Sequence, residues 1–580
     1  MSYSQIVNFV KGRMPTAFNI LLLICALSIA GFSQSESGGG AIRAFVKTPD
    51  GHGVADAVVL IRNIETGYSR QVVTDEKGQF TAFAIPVGTY QIRATHAQYK
   101  STALQVHVTV GETQSVKLTM RINSEESSDE KMVVGSAQNG IDTKEAASAG
   151  SVGVGSITEA PIRGRSFPDF VLLTPDVVQE SDRNGLVISG QRSINSNVSI
   201  DGADFNDPLQ GNQRGSNDPV FFFPLSAVRE FQVVRSGAGA EVGRTTAGFV
   251  NAVTKSGTND WHGEALYLNR NSALTSTDAF GNSGDNSQHQ FGGSLGGPIK
   301  KDRAMFFIAA EQNFLTVPFT VKFDPQPAGV TLPASLLALQ GTDNGTNNTT
   351  SVFARTDIIL SAKHALNLNY AFVDLNADNF GFTNRPLDQA QTANFGRYAS
   401  SNAVNANLIS ILSPTLINEL RGQVATDNRH ETQNVPSAQI VITGVGTTGA
   451  DGSRPRIFDN TRYELTDNLS LTKGKHAIRF GVDSNTEPER MERELNFQGR
   501  YDFKSLADFN AGKIARYRAT VTTGVVNDLI YRGSQRELGV FIQDKINLAA
   551  NLSMTAGFRW DGEWNPQPAH PNPAVPDTAL

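Results

Sequence analysis

From Leu552 to Trp560 every second side chain is apolar. Leu552, Met554, Ala556, Phe558 and Trp560 alternate with Ser553, Thr555, Gly557 and Arg559, and Asp561 continues the polar series. The same period of two runs through His476, Ile478, Phe480 and Val482 against Ala477, Arg479, Gly481 and Asp483. It recurs through Leu366, Leu368, Tyr370 and Phe372 against Asn367, Asn369 and Ala371. Successive residues of a strand face opposite sides, so each stretch reads as a strand with one apolar and one polar face. The aromatic residues fall toward the far end of each, where a membrane barrel carries an interfacial girdle.

The spacing of turns supports a barrel. Short connections are expected at 298–303, 361–364, 413–415, 472–475 and 548–551, and long polar ones at 324–350, 374–398, 427–460 and 487–531. Short periplasmic turns alternating with long outer loops are the layout of a transmembrane barrel. The competing reading is an extracellular array of β-sandwiches. No stretch after residue 32 is long and apolar enough for a membrane helix, which leaves strands as the only spanning elements.

One apolar run does occur. Lys11 and Arg13 precede Ala17–Phe32, which reads as a secretory signal peptide over 1–33. A transmembrane anchor is the alternative, but the run is shorter than the ~20 residues a bilayer needs. Cys25 follows Ile24, where a lipoprotein signal wants a small side chain, so cleavage near Ala30 or Ser33 is expected. That removes the chain's one cysteine, and with it any disulfide framework or thiolate metal site.

Composition and motif searches narrow the function. The 580 residues carry a net charge of -6, which gives no basic field for nucleic acid. The nine histidines form no HExxH or HxxE pair, and no GxxxxGK[ST] loop is present. Gly292 to Gly296 fits GxSxG by letter, but it is expected at the end of a strand before the Pro298 turn, not on a strand-to-helix elbow. No enzyme activity and no cofactor are expected.

Ahead of the barrel lie three further segments. Residues 41–120 alternate β-rich runs with turn chemistry and read as a seven-stranded sandwich. Residues 121–155 are rich in Ser, Glu, Gly and Ala and read as a linker. Within it Lys131, Met132, Val133, Val134, Gly135 and Ser136 form a short β-prone island. Residues 156–257 follow as the third segment, which the resemblance given below implies is a small α+β unit, and 258–580 are expected to form part of a transmembrane barrel.

The sandwich resembles the carboxypeptidase regulatory-like domain, a transthyretin-like fold. The resemblance rests on DGHGVADAVVLIRNIETG, TDEKGQF and PVGTY, and implies no peptidase. Residues 161–257 resemble the plug of TonB-dependent outer-membrane receptors, through PIRGRSFPDFVLLTPDV, Ile188 to Asp207 and Val228 to Asn259. The coupling of AEVGR to GFVNAVTKSGTN, followed by WHGEALYLNRN and FGGSLGGPIKKDRAMFFIAAE, is similar to the Oar-like branch of that superfamily.

This resemblance implies a mainly-β outer-membrane receptor of a Gram-negative-type bacterium, seated in outer-membrane lipid. It implies uptake of a scarce or large substrate, gated by ligand and driven by inner-membrane proton motive force through TonB with ExbB and ExbD. The extracellular ligand is unknown, with carbohydrate and peptide as candidate classes, and Phe380, Phe382 and Phe395 as loop aromatics that could stack on sugars. A surface adhesion or carbohydrate-binding protein anchored by the barrel is the alternative. The 131–136 island is the candidate TonB box, with an ordinary linker as its competitor. Arg192, Asn195, Asp201, Gly202, Arg235, Glu241, Gly243, Arg244, Asn251 and Lys255 are expected to form the plug framework, with Arg479, Arg559 and Asp561 as lumen partners.

The strand count has its own consequence. One strand near 261–269 and five hairpins make about eleven strands, the first half of a plugged barrel of roughly 22. A small complete barrel with miscounted strands is the alternative.

Overall fold

The computed structural model describes residues 39–97, 99–101, 103–122, 133–134, 148–153, 167–180, 185–206, 223–274, 286–323, 331–380, 388–521, 529–549 and 552–566. The leader read at 1–33, Phe382, and Lys131, Met132, Gly135 and Ser136 lie outside the described residues. Among the described residues no helix is long and apolar enough to cross a membrane.

The sandwich is built as its alternation predicts. Ile42, Val46, Val59, Ile61, Tyr90, Ile92 and Ala94 point inward and are fully buried, while Val58 and Leu60 between them face out. Eight strands between Gly39 and Ile122 make it, not seven. The addition is Tyr99–Ser101, three residues too short to show a period. The NIETG motif earns its residues at a turn, where Asn63 Oδ1 accepts from the N–H groups of Glu65 and Thr66 at 2.9 Å each. Gly67 follows in the left-handed region at φ +76°.

The plug centres on a five-stranded sheet in the order Ser148–Gly153, Val228–Ser236, Phe249–Thr254, Asn197–Ile200, Ala203–Asp204. Its outer strand Ser148–Gly153 corrects the sequence reading, which ended the linker at 155. Its small residues gave no apolar signal, yet its backbone pairs with Val228–Ser236 along its whole length. Phe170, Leu186, Ile188, Val198, Phe231, Val233 and Val250 form the plug core.

Eleven antiparallel strands then follow in chain order as one sheet: His262–Arg270, Ser287–Lys300, Ala304–Val321, Gly341–Ser361, His364–Phe380, Phe395–Ser413, Leu416–Gln433, Arg456–Lys473, His476–Arg493, Ile530–Ala549 and Leu552–Trp564. The count agrees with the sequence, and so do the short turns at 301–303, 362–363, 414–415 and 474–475. Within the described residues the two end strands each pair on one side only. Gly292–Gly296 lies inside Ser287–Lys300 and is paired on both edges, so it forms no elbow. Outward-facing Leu368, Tyr370, Val404, Leu420, Val424, Tyr463 and Ile542 are exposed, as a lipid-facing wall requires. The inner face carries small residues against the plug: Ala309, Ala371, Ala403 and Ala425 join its core, with Phe353 packing 5.0 Å from Phe223.

The long loops are shorter than expected, because the strands continue into them. Gly341–Ser361 has 21 residues and Ile530–Ala549 has 20, against ~10 needed to span lipid. What remains is partly folded. Gly446–Gly449, Gln439–Ile442, Arg500–Phe503 and Arg516–Arg518 make a four-stranded sheet in that order. Val321, Phe323, Leu336, Ile442, Val445, Phe503 and Leu506 pack into a separate core beside it.

Candidate functional site

The plug meets the barrel wall through its AEVGR run. Four of its five members, Ala240, Glu241, Gly243 and Arg244, have a task whose partner the sequence did not fully reveal. The N–H of Ala240 donates to Gln543 Oε1 at 2.7 Å. Glu241 pairs with Arg479 at 2.5 Å. An added Cβ on Gly243 would collide with the Arg559 guanidinium, which would have to shift from this position. Arg244 is the hub: it lies 2.7 Å from Asp204, 2.7 Å from Glu537 and 3.5 Å from Asp483.

Asp204 carries the second half of this seat. Its carboxylate also pairs with Arg462, which lies 2.6 Å from Glu487 and donates to Asn206 O at 2.9 Å. The Asp204 N–H donates to Glu464 Oε2 at 3.0 Å, and its carbonyl accepts from Gln423 at 3.2 Å. Burial opposes the charge on Asp204, but the guanidinium groups of Arg462 and Arg244 outweigh it and hold the carboxyl well below the usual carboxylate range. Arg559 closes the ring from the wall, 2.7 Å from Asp483 and 2.5 Å from Asp561.

A two-residue hairpin aims these groups. Asp201 and Gly202 sit at φ +49° and +78° between the paired residues Ile200 and Ala203, the double positive-φ signature that Asp-Gly supplies at least strain. Asp201 accepts from the N–H and hydroxyl of Thr254 at 2.9 and 2.7 Å, and Arg355 of the wall reaches Asp201 at 3.5 Å and the Thr254 hydroxyl at 2.7 Å. Asn251, almost fully buried, accepts from Gly202 N–H and the Ser199 hydroxyl at 3.0 Å each.

The ten framework residues therefore divide. Asp201, Glu241, Gly243 and Arg244 face the wall, and Lys255 reaches Glu264 of the first barrel strand at 3.2 Å. Gly202, Asn195 and Asn251 hold the plug to itself; the Asn195 carbonyl accepts from the Thr245 hydroxyl at 2.8 Å. Arg192 and Arg235 pair within the plug, with Glu180 at 2.6 Å and Asp176 at 3.6 Å. Sequence reasoning missed Asp204, Ser226, Glu311, Arg462, Glu464, Glu487 and Glu537. Ser226 donates to Glu311 from both its N–H and its hydroxyl, at 2.8 and 2.6 Å. For Glu311, Arg462, Glu464, Glu487 and Glu537 the one advance signal was the polar face of the alternating strands, which names a lumen side but no partner.

At the outer end the expectation for two of the three aromatics is overturned. Phe380 and Phe395 are 4% and 7% exposed, not loop aromatics free to stack on a sugar. Long strands carry them inward to pair with each other, and guanidinium groups cover them: Arg397 lies 3.8 Å above Phe380 and Arg454 3.9 Å above Phe395. Both arginines converge on the buried Glu431, at 2.9 and 2.6 Å.

A family model described as an outer membrane beta barrel domain matches residues 253–322 and 317–578. The chain belongs to that family. The carboxypeptidase regulatory-like domain model matches residues 41–121 of this outer-membrane protein. Over 322 residues the family member is 28% identical to a protein named TonB-dependent transporter Oar, of Myxococcus xanthus; that stretch covers 49% of this chain and 27% of the relative. The chain thus spans about a quarter of the length of the curated relative it matches. Among solved structures, the outer membrane transporter YddB of Escherichia coli matches at 13% identity with a TM-score of 0.51, over 72% of this chain and 56% of that one. A variant of the ferric enterobactin receptor PfeA of Pseudomonas aeruginosa matches at 14% with a TM-score of 0.50, over 73% and 58%. These last two likenesses concern the fold.

Proposed function

We propose that this outer-membrane receptor is a TonB-coupled importer in which ligand binding on the outer side gates a plug that inner-membrane proton motive force, relayed by TonB with ExbB and ExbD, then moves. The observation that carries this reading is how the plug is held. Its AEVGR run and Asp204 are seated by charged and hydrogen-bonded pairs in which Arg244 has three anions in reach and Arg462 and Arg559 two each. Such pairs can exchange partners during movement, where a wholly apolar seat would have to be exposed to water. The substrate is one too scarce or too large for an open pore.

The recognition segment in this reading is Lys131 to Ser136. At Val133–Val134 the backbone runs as a strand parallel to Leu104–Val108, in register with Leu104 and Gln105. A segment that already adds to a sheet edge is suited to adding to another protein's. Val133→Pro removes a backbone donor and should abolish TonB-dependent uptake while surface expression stays normal. Uptake that survives the change overturns the assignment.

A further inference from the structure

The sandwich does not hang free beneath the plug. The Val110 N–H donates to Glu230 Oε1 at 2.6 Å in a buried contact, Arg229 lies 3.5 Å from Glu65, and Val87 and Val110 close over Val253. The same sandwich also touches the barrel at two separated places. Arg62 lies 3.6 Å from Asp302, in the turn between the second and third barrel strands. Ala41 and Phe83 pack on Ala477, at the start of the ninth. Both places belong to the short-turn rim, the periplasmic side of such a barrel. Contacts so far apart around the wall place the sandwich across the mouth, not beside it. Where the three bodies meet they line a partly open cavity of about 120 Å³, with Tyr68 and Val87 of the sandwich, Asp201 of the plug, and Arg355, Asp357 and Glu419 of the wall around it.

Both sets include buried apolar contacts, since Ala41, Phe83 and Ala477 are buried as the three valines are, and they differ in their polar part. On the plug side a buried carboxylate accepts a backbone N–H and three valines exclude water. On the rim side the ion pair is more than half exposed at both partners, and salt screens such pairs. We propose that the sandwich is a periplasmic shutter: in the resting receptor it closes the inner mouth of the barrel over the plug, and it opens from the rim while remaining attached to the plug. This goes beyond the transport reading and stands without TonB coupling, because it concerns the resting state.

The test reads cysteine reactivity in the receptor in spheroplasts, using a membrane-impermeant maleimide supplied from the periplasmic side. Val253→Cys reports the plug contact and Ala477→Cys the rim contact. Each is compared with the same cysteine in a receptor lacking residues 41–120. Both cysteines should react at least tenfold more slowly with the sandwich present, and Ala477→Cys should react faster than Val253→Cys after this normalisation. Asp302→Arg, which sets two cations together at the rim, should speed the reaction at 477 several-fold and leave 253 slow; adding Arg62→Asp should restore protection. Equal rates with and without the sandwich overturn the shutter, and faster reaction at 253 than at 477 overturns opening from the rim. Should the deleted receptor fail to assemble, the pair Ala41→Cys with Ala477→Cys decides the matter. Oxidation should join the two positions by a disulfide that holds proteolytic fragments together until reduced, and absence of that bond overturns the proposal.

Discussion

Arg244 on the plug and Glu537 on the barrel wall stand 2.7 Å apart, and the same guanidinium is 2.7 Å from Asp204 of the plug. One side chain thus ties the plug to itself and to the wall. Its backbone sits at φ +57°, a conformation that an arginine adopts only where its surroundings fix it. Arg244→Ala leaves Asp204 and Glu537 short of a cation in a largely buried place, a loss of about 3–5 kcal/mol. We expect lower receptor levels or leakage of antibiotics normally excluded by the outer membrane, with substrate preference unchanged. Intact gating with altered preference would count against this role.

The Asp201-Gly202 turn predicts a separate defect. Gly202→Val places a β-branched residue at φ +78°, and Asp201→Ala removes the acceptor for Thr254. Each should destabilise plug seating by about 1–3 kcal/mol. The measurement is the temperature at which the plug becomes open to added protease, and no shift in either variant would refute the role given to the turn.

Acid should unseat the plug only late. Asp204 is held below the ordinary carboxylate value of 3.8, so its contribution is in place above that value and is lost as pH falls below it toward the depressed one. Protease protection of the plug should persist from neutrality down to about pH 4, with the Asp204 contribution disappearing only at lower pH. Asp204→Asn should remove that acid-sensitive step; a wild-type transition centred near pH 6 would mean another group controls the seat.

At the outer end the prediction opposes the sugar-stacking expectation. Phe395→Ala opens a cavity beneath Arg454 and should cost about 3–5 kcal/mol, read as faster amide exchange in the strands Phe395–Ser413 and Leu416–Gln433. Loss of ligand binding with unchanged exchange would restore Phe395 as a contact residue.

The fold was legible because lipid and plug impose opposite demands on the two faces of each strand. Leu552 to Trp560 had to alternate, and the turns between hairpins had to be short on one side. The seat was only half legible. AEVGR and the Asp-Gly turn are local patterns, and the structure gives both a reason. Their partners Glu464, Glu487 and Glu537 lie more than 250 residues away from Asp204, and from sequence each is one polar residue among many on a wet face. Phe380 and Phe395 misled for a related reason. A polar stretch is a loop signal when one face must be apolar, but above the membrane a strand can be polar on both faces and still pair.

That last point bears on the strands of 17 to 21 residues between His364–Phe380 and Gly341–Ser361. At ~3.3 Å per residue such a strand is about 55–70 Å long, and tilted by about 40° it rises about 40–55 Å, while the apolar band of such a wall needs only ~25 Å. The upper storey is therefore free of the bilayer's rules: water wets it on both sides, and a charge placed there faces no insertion penalty. Mutation can redraw the rim that meets the outside world without endangering the part that must sit in lipid, so new cargo can be tried on a chassis that stays the same.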